Sequence, residues 1–378
     1  MYFFGRMRKP LHTLLLKINF VSKGGYSFMT KFFAAANTEH GFRSLFPVCF
    51  SPEEHRRIYI LKGGPGTGKS TLMKNVGFAA EANGYEAEYF YCSSDTASLD
   101  GVRIPALGVA ILDGTAPHRV DPVYPGAVER IVDLGEAFDD AGLEKKKREI
   151  VSLCGVKEDA YRTAYRYLAA AGRVAQEIDA LLSPVFLSAK AEGAAVRLVN
   201  MLKRTETGVE ARRYVSAIGT RGYTKLDTLQ RKAKRICAVT ERNGLEYLFM
   251  NKLYEVLSKA NIAMTVCMTP LVSSHLEAIY IEGEDVLFAV MNEEEAQRAD
   301  KIVNSARFVS REGLAARRTR LRFAERCVQL LLDGALSSLA EAGRSHAELE
   351  RIYGQYVDFS VVDRIKNRMI AEIFANNM

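Results

Sequence analysis

A glycine-rich segment with one lysine and three hydroxyl residues carries the strongest chemical signal in this sequence. It follows the apolar run 57–61 and reads Gly63-Gly64-Pro65-Gly66-Thr67-Gly68-Lys69-Ser70-Thr71. Glycines let successive backbone N–H groups converge on phosphate oxygens, and the positive end of a following helix faces the same anion. Lys69 is placed to reach the β- and γ-phosphates, and Ser70 to ligate Mg²⁺. The segment predicts a P-loop that binds ATP and Mg²⁺, with ATP chosen over GTP by default.

A P-loop site also needs a carboxylate near the metal ion. Residues 109–112 form a second apolar run, and Asp113 follows it directly, at the carboxyl end of the expected strand. We therefore predict that Asp113 is the second protein ligand of Mg²⁺. The alternative is an ordinary turn aspartate before Gly114.

The residue that positions the attacking water is left open by the sequence. Asp95 and Asp100 lie just beyond a predicted strand, where ligands collect in open α/β sheets. His118, five residues after Asp113, could instead sense the γ-phosphate. Each has an ordinary alternative, a cap or turn for the carboxylates and a structural role for the histidine.

The elements that must position these residues occur twice along the chain. The run 57–61 returns as 235–239, and Asp100 returns as Glu277, 177 positions later. Such matches keep their order with small deletions, which predicts two related halves. We expect that residues 1–28 are a leader from a mis-assigned start and that Met29 is the natural start. Two domains follow: 29–205 with the intact P-loop, and 206–378, which is a degenerate P-loop-like domain.

Strands alternate with helices in each half, which implies parallel pairing and a three-layer α/β architecture. Strands are predicted at 32–36, 57–61, 87–92 and 109–112, and again at 214–218, 235–239, 263–267 and 286–289. Residues 126–182 and 294–350 have helical periodicity and many charges, so we predict a long helical hairpin appended to each core. The predicted fold class is thus an α/β P-loop NTPase fold with two repeated halves.

The second half has lost the residues of the P-loop. At an offset of 178, Gly68, Lys69 and Ser70 face side chains unsuited to phosphate: Glu246, Tyr247 and Leu248. Asp113 faces Val290 at an offset of 177. We therefore expect one competent site, in the first half. The second half could still present an arginine to it, and the candidates, each also readable as a surface residue, are Arg221, Arg235 and Arg242.

The composition of the chain limits the classes of partner that it is expected to bind. The chain of 378 residues has a net charge of +7, but residues 1–28 hold five basic residues and no acid, which leaves +2 for the rest. Basic stretches at 145–148, 231–235 and 317–322 have acids nearby and read as solvated helix faces, so nucleic acid is not favoured. No apolar run is long enough to cross a membrane, and six scattered cysteines suggest reduced thiols in the cytoplasm.

Three stretches together resemble an uncharacterised bacterial family of tandem P-loop ATPases found in spore-forming Firmicutes and their relatives. They are the P-loop at 63–71, Cys-Ser-Ser-Asp at 92–95 with Ser-Leu-Asp-Gly at 98–101, and Ala-Ile-Leu-Asp-Gly-Thr-Ala-Pro-His at 110–118. The resemblance runs from about Met29 to the C-terminus. It implies two fused P-loop halves and ATP binding, with no settled reaction, whereas this chain has a degenerate second half.

The sequence thus favours Mg²⁺-dependent ATP hydrolysis at one site, coupled to a conformational change. In this scheme Lys69 and backbone N–H groups hold phosphate, Ser70 and Asp113 hold Mg²⁺, and Asp95 or Asp100 positions water. The first alternative is a nucleotide or small-molecule kinase, since the loop also resembles adenylate-kinase-type loops. The second is a nucleotide-gated adaptor that binds a protein or nucleic acid.

Overall fold

The glycine-rich segment follows a strand next to the edge of a six-stranded mixed sheet in the computed structural model, which describes residues 29–203 and 208–375. The strands of the first half are β1 (Thr30–Phe33), β2 (Ala35–Thr38), β3 (Gly41–Ser44), β4 (Arg57–Lys62), β5 (Glu88–Tyr91), β6 (Leu99–Ile104), β7 (Val109–Asp113) and β8 (Glu129–Asp133). The sheet has the order β1-β5-β6-β7-β4-β8, and β2 pairs with β3 in a separate hairpin.

The second half repeats this topology. Its strands are β9 (Glu210–Arg213), β10 (Ser216–Gly219), β11 (Gly222–Lys225), β12 (Arg235–Thr240), β13 (Met264–Met268), β14 (Leu276–Ile281), β15 (Val286–Met291) and β16 (Lys301–Val303). Read from the opposite edge, the sheet order β9-β13-β14-β15-β12-β16 matches the first sheet strand for strand, and β10 pairs with β11 as a hairpin. The protein is therefore an α/β protein with two six-stranded mixed sheets.

The prediction of parallel pairing throughout is wrong for one strand in each sheet. β6 runs antiparallel to both β5 and β7, and β14 runs antiparallel to β13 and β15. Only short loops, two of which contain a single 3₁₀ turn, separate these strands along the chain. Short connections join antiparallel neighbours, whereas parallel neighbours need a long crossover. The sequence analysis did not predict β6 or β14, although the Asp100–Glu277 match lies in them.

The helices are α1 (Phe46–Cys49), α2 (Lys69–Ala82), α3 (Asp140–Lys145), α4 (Lys147–Leu182), α5 (Ser188–Val199), α6 (Thr228–Lys232), α7 (Leu245–Lys259), α8 (Glu293–Ala296), α9 (Arg311–Gly354) and α10 (Phe359–Phe374). α2 and α7 bury one face each, with core residues three or four positions apart. They follow β4 and β12 after a short loop, in agreement with the predicted alternation of strands and helices.

The predicted helical hairpins are instead one long helix from each half. α4 and α9 pack against each other in antiparallel direction: Tyr167 lies beside Gly334, and Arg320 bonds to Glu177 at 2.8 Å. The rest of the predicted hairpin regions forms β8, α3, α8 and β16. Each half carries a single long apolar stripe, so each stripe is buried against its counterpart in the other half, with Leu168 and Leu339 in one shared cluster.

The helix that ends each half packs on the opposite half. α5 contributes Ala191, Ala195 and Leu198 to the core under the second sheet, together with residues of α7. α10 contributes Ile365 and Met369 to the core under the first sheet, together with α2. The two halves thus exchange a helix. The predicted boundary at 205–206 and the predicted leader at 1–28 lie outside the described residues.

The two sheets face each other. Ile58, Ile60 and Ala110 of the first sheet share one buried cluster with Tyr280 and Leu287 of the second. The other face of each sheet is covered by α2 and α10, or by α7 and α5. The order of layers is therefore helix, sheet, sheet, helix, rather than two separate three-layer halves, because each sheet is apolar on both faces and only one face has helices of its own.

Candidate functional site

The glycine-rich segment has the strand–loop–helix geometry that its sequence predicts. β4 ends at Lys62, and α2 begins at Lys69 with Gly68 as its N-cap. Gly66 and Gly68 have φ values of 72° and 81°, in the left-handed region that favours glycine. The Thr67 hydroxyl donates to the Gly64 carbonyl at 2.9 Å and ties the loop together. Its backbone N–H groups therefore sit at a helix N-terminus, the usual place for an anion.

Lys69 lies inside this loop. Its Nζ donates to the carbonyl oxygens of Gly63 at 2.9 Å and Gly64 at 2.8 Å, and it lies 3.7 Å from Oδ2 of Asp113. The side chain is only 10% exposed. The ammonium charge is thus held between the loop and the carboxylate that the sequence predicted as its partner in the site.

Asp113 reaches the loop because β7 is the direct neighbour of β4. The register places Asp113 opposite Leu61, one residue before the end of β4. Its Oδ1 accepts hydrogen bonds from the backbone N–H of Thr115 at 2.9 Å and from the Thr115 hydroxyl at 2.6 Å. These two bonds fix the carboxylate, so that Oδ2 faces Lys69.

The residues predicted to hold Mg²⁺ offer suitable oxygen atoms. Ser70 stands in the first turn of α2, where its Oγ accepts from Leu99 N–H at 3.0 Å, and Asp113 Oδ2 lies beside Lys69. Mg²⁺ is usually bound by one or two protein oxygens together with substrate phosphates, rather than by an all-protein cage. The described residues contain no cluster of three or more His, Cys, Asp or Glu side chains arranged for a metal. The donor set therefore fits Mg²⁺ carried with a nucleotide.

Asp95 lies in the loop between β5 and β6, which is fastened to the P-loop helix. Lys74 of α2 donates to the Ala97 carbonyl at 2.8 Å. Asp95 accepts a hydrogen bond from the Ser98 hydroxyl at 2.9 Å. It therefore also stabilises a turn, which is the alternative role that the sequence analysis considered for it. Its other oxygen, Oδ1, pairs with Nε of Arg221 at 3.2 Å.

Asp100 and His118 form a buried pair. Asp100 Oδ2 lies 3.0 Å from His118 Nε2, and both side chains are at most 6% exposed. Burial lowers the pKa of His118, but the carboxylates of Asp100 and Asp113 outweigh burial, so the pKa is raised overall. The His118 ring also stacks on Phe46 at 4.3 Å. The structure therefore places Asp100 inside the protein and Asp95 in the loop beside the site.

A helix of the second half covers the glycine-rich loop, which the sequence did not predict. A Cβ built on Gly66 would lie 2.7 Å from the Glu350 carbonyl of α9. One turn earlier stands His346, whose pKa is lowered by burial and by Lys157 and Lys69, against the carboxylates of Glu350 and Asp95. The four-residue spacing of His346 and Glu350 places them on one helix face, but only the fold brings that face to the loop.

The corresponding loop of the second half is shorter and is filled by its own side chains. β12 ends at Thr240 and α7 begins at Leu245, which leaves four residues in place of six. The buried faces of α2 and α7 correspond at an offset of 177, as with Val76 and Leu253. The predicted offset of 178 is thus wrong by one residue in this helix, and Glu246 stands where Lys69 stands.

Glu246 takes the place of an anion in this second loop. Its Oε2 accepts from the backbone N–H groups of Arg242 at 2.7 Å and Gly244 at 3.1 Å. Leu245 packs in an apolar cluster with Leu182 of α4. The loop therefore satisfies its N–H groups with an internal carboxylate, which supports the expectation of a single nucleotide site.

Replacing Glu246 by glutamine is expected to flatten the pH dependence of stability. Burial raises the pKa of Glu246 from 4.5 to about 7, so between these values the folded state keeps a proton that the unfolded chain releases. Stability therefore falls as pH rises through this window, by about 3 kcal/mol, and levels off above it. A glutamine oxygen can accept the same two N–H bonds without a charge.

Urea unfolding at pH 5 and pH 8 measures this slope, with Glu255→Gln on the exposed side of α7 as the matched control. Burial also raises the pKa of Glu277 to about 7, so part of the slope should survive in Glu246→Gln. A slope equal to that of the unsubstituted protein would contradict the assignment.

Of the three arginines considered for the first site, the structure brings only one to it. Arg221, in the turn between β10 and β11, pairs with Asp95. Arg235 pairs with Glu284 at 2.9 Å, and Arg242 lies 4.0 Å from Glu293, so both contact acids of the second half.

Each basic stretch has at least one residue that is paired with an acid. Lys146 bonds to Glu149 at 3.0 Å, and Lys234 to Asp285 at 2.7 Å. Arg320 bonds to Glu177 across the pair of long helices. These pairs agree with solvated helix faces. Within residues 29–203 and 208–375, no helix is both long and apolar enough to cross a membrane.

These features define a protein of the α/β class with two six-stranded mixed sheets and one intact glycine-rich loop between a buried strand and a helix. Comparisons of the chain with protein-family models, with curated proteins and with solved structures find no match. The resemblance to tandem P-loop ATPases therefore stays a prediction, and the candidate site rests on the geometry of its own residues.

Proposed function

We propose that this chain is a cytoplasmic protein that binds ATP with Mg²⁺ at residues 63–71 and hydrolyses it. The observation that carries the proposal is the position of Lys69, within the glycine-rich loop and 3.7 Å from the carboxylate of Asp113. A lysine, a carboxylate and a helix N-terminus converge there, and these are the groups that nucleotide phosphates with a bound Mg²⁺ require.

In the proposed reaction the protein mainly positions and neutralises charge. Backbone N–H groups of 64–69 and the ammonium of Lys69 hold the β- and γ-phosphates. Ser70 and Asp113 are the protein groups that would hold Mg²⁺, which supplies charge neutralisation on the phosphate oxygens. Asp95 accepts a hydrogen bond from the attacking water. We favour Asp95 over Asp100 because Asp100 is 4% exposed and is paired with His118.

The proposed coupling to movement follows from what covers the loop. The Glu350 carbonyl of α9 lies against Gly66, and Tyr353 lies against Gly64. Phosphates that enter the loop therefore act directly on α9. Since α9 packs along α4 and both helices reach the second half, a shift at the first site moves the long pair as a unit.

A kinase is the second candidate, and one observation favours it. A shallow, open depression of about 400 Å³ lies beside the loop, lined by residues 136–139, 355–358 and Val361. Phe138 belongs to this lining and also lies against Gly64. A phosphoryl acceptor bound there would be next to the P-loop.

Replacing Asp113 by asparagine is expected to lower phosphate release from Mg-ATP by about 100-fold, because the change removes one charged ligand of the metal ion while keeping the Thr115 bonds. Steady-state phosphate release measures the loss, with Asp121→Asn as a control on an 85% exposed carboxylate. Equal rates in Asp113→Asn and the unsubstituted protein would overturn the assignment of Asp113. Phosphate transfer only when a metabolite acceptor is added would favour the kinase.

A further inference from the structure

The β10–β11 hairpin of the second half docks on the candidate site of the first half. Thr220 donates its backbone N–H at 2.8 Å and its hydroxyl at 2.9 Å to the carbonyl of Ser94. A Cβ built on Gly219 would lie 2.5 Å from the Ser93 carbonyl. The tip of the hairpin therefore lies directly on the loop that carries Asp95, and a glycine is needed for this approach.

The opposite side of the same tip is held by α9. A Cβ on Gly343 would lie 2.7 Å from the Cβ of Thr220. Gly343 precedes His346 by three residues, so the stretch of α9 that covers the P-loop also touches the hairpin. The hairpin tip is thus fixed between the Asp95 loop and the helix that covers the nucleotide loop.

This docking places one cation at the edge of the site. Arg221, next to Thr220, pairs through Nε with Asp95 Oδ1 at 3.2 Å, and its side chain is 49% exposed. The Asp95 loop is bonded to α2 at Lys74 and, through Leu99, at Ser70. Arg221 therefore contacts, through Asp95, the loop that is hydrogen-bonded to the helix after the glycine-rich segment.

The equivalent hairpin of the first half differs at this position. Its tip docks on the second half through Glu39, whose Oε1 accepts from Ser273 N–H at 3.0 Å and from the Ser273 hydroxyl at 2.9 Å. The residue that follows Glu39 is His40. An arginine thus stands at the hairpin tip that docks on the half with Lys69, whereas a histidine stands at the tip that docks on the half with Glu246.

We propose that Arg221 is a catalytic arginine which the second half supplies to the first site. This inference rests on the proposed ATP hydrolysis. Water oxygen attacks the γ-phosphorus, the bond from this phosphorus to the β–γ bridging oxygen breaks, and its electron pair leaves with ADP. The water proton passes to phosphate or solvent. The guanidinium stays protonated, leaves Asp95, and binds oxygens of the transferring phosphoryl group, which frees Asp95 to orient the water.

Arg221→Ala is expected to lower kcat for Mg-ATP hydrolysis by about 1,000-fold, with KM changed by less than about threefold. Arg221→Lys should not restore kcat, because an ammonium lacks the planar fork that a guanidinium offers to phosphate oxygens. His40→Ala is the matched control at the equivalent tip and should leave kcat unchanged. A kcat in Arg221→Ala within about threefold of the unsubstituted protein would overturn the proposal.

A binding measurement separates this proposal from the proposed function. Thermal unfolding is followed with Mg-ADP and with Mg-ADP plus fluoroaluminate, a mimic of the transferring phosphoryl group. We expect fluoroaluminate to add stabilisation in the unsubstituted protein and in His40→Ala, but not in Arg221→Ala. If Arg221→Ala keeps the added stabilisation, the role of Arg221 is wrong while nucleotide binding stands. If neither Mg-ADP nor Mg-ATP stabilises any of the proteins, both proposals fail.

Discussion

Replacing Lys69 by alanine is expected to lower Mg-ATP hydrolysis by about 100-fold or more and to weaken ATP binding. Lys69 supplies the positive charge inside the loop, where only 10% of its side chain is exposed. A charge with so little access to water interacts strongly with phosphate. The substitution also leaves the carboxylate of Asp113 without its neighbouring cation, so the negative charge near the incoming phosphates is less well compensated.

The measurement is a titration with a fluorescent ATP analogue together with phosphate release. Lys252→Ala is the matched control, because Lys252 lies on α7, the counterpart of α2, and pairs only with Glu255 in the described structure. Normal ATP affinity in Lys69→Ala would show that the loop is not the nucleotide site. Lost affinity in both variants would point to a general effect of charge.

Replacing Met369 by alanine is expected to destabilise the protein by about 2–5 kcal/mol, although this residue lies near the end of the chain. Met369 is 3% exposed and packs in the core of the first half with Ile365 and Ile373. Removing its side chain leaves a cavity between α10 and α2, and α2 carries Lys69 and Ser70. Weaker ATP binding should therefore accompany the loss of stability.

Urea unfolding measures the destabilisation, and amide hydrogen exchange locates it. Exchange should become faster in α2 and β4, both of the first half, and less so in α7. Arg368→Ala, at an exposed position beside Met369, is the control and should change stability by less than about 0.5 kcal/mol. Faster amide hydrogen exchange confined to α7 would contradict the packing of α10 on the first half.

Local signals in the sequence were sufficient for the centre of the site. The glycines and the apolar run before them predicted the turn from β4 to α2, since these residues act on the backbone at their own positions. The run that ends in Asp113 predicted β7 and its neighbourhood with the loop. The ordered matches between Asp100 and Glu277 and similar pairs predicted two halves, which appear as two sheets of the same topology.

Local signals in the sequence failed where the structure depends on which helix or sheet an element packs against. The apolar stripe of α4 predicted a helix, but a stripe does not specify which other stripe covers it, so the hairpins were wrong. The same holds for α5 and α10. The residue types on their apolar faces are suited to the core of either half, so they do not specify which core each helix covers. β6 was missed because its central residues are Asp100, Gly101 and Arg103, which give a weak strand pattern.

The sequence by itself determined the glycine-rich loop between β4 and α2, with Lys69 in it and Asp113 at the end of β7, because strand, turn and helix preferences act over a few residues. Only the tertiary structure decided what surrounds them. Glu350 and His346 come from a helix about 280 positions further along the chain, and Arg221 comes from a hairpin about 150 positions away. Contacts at such separations depend on how the two halves pack, and this packing follows from the burial of whole faces rather than from any residue near the loop.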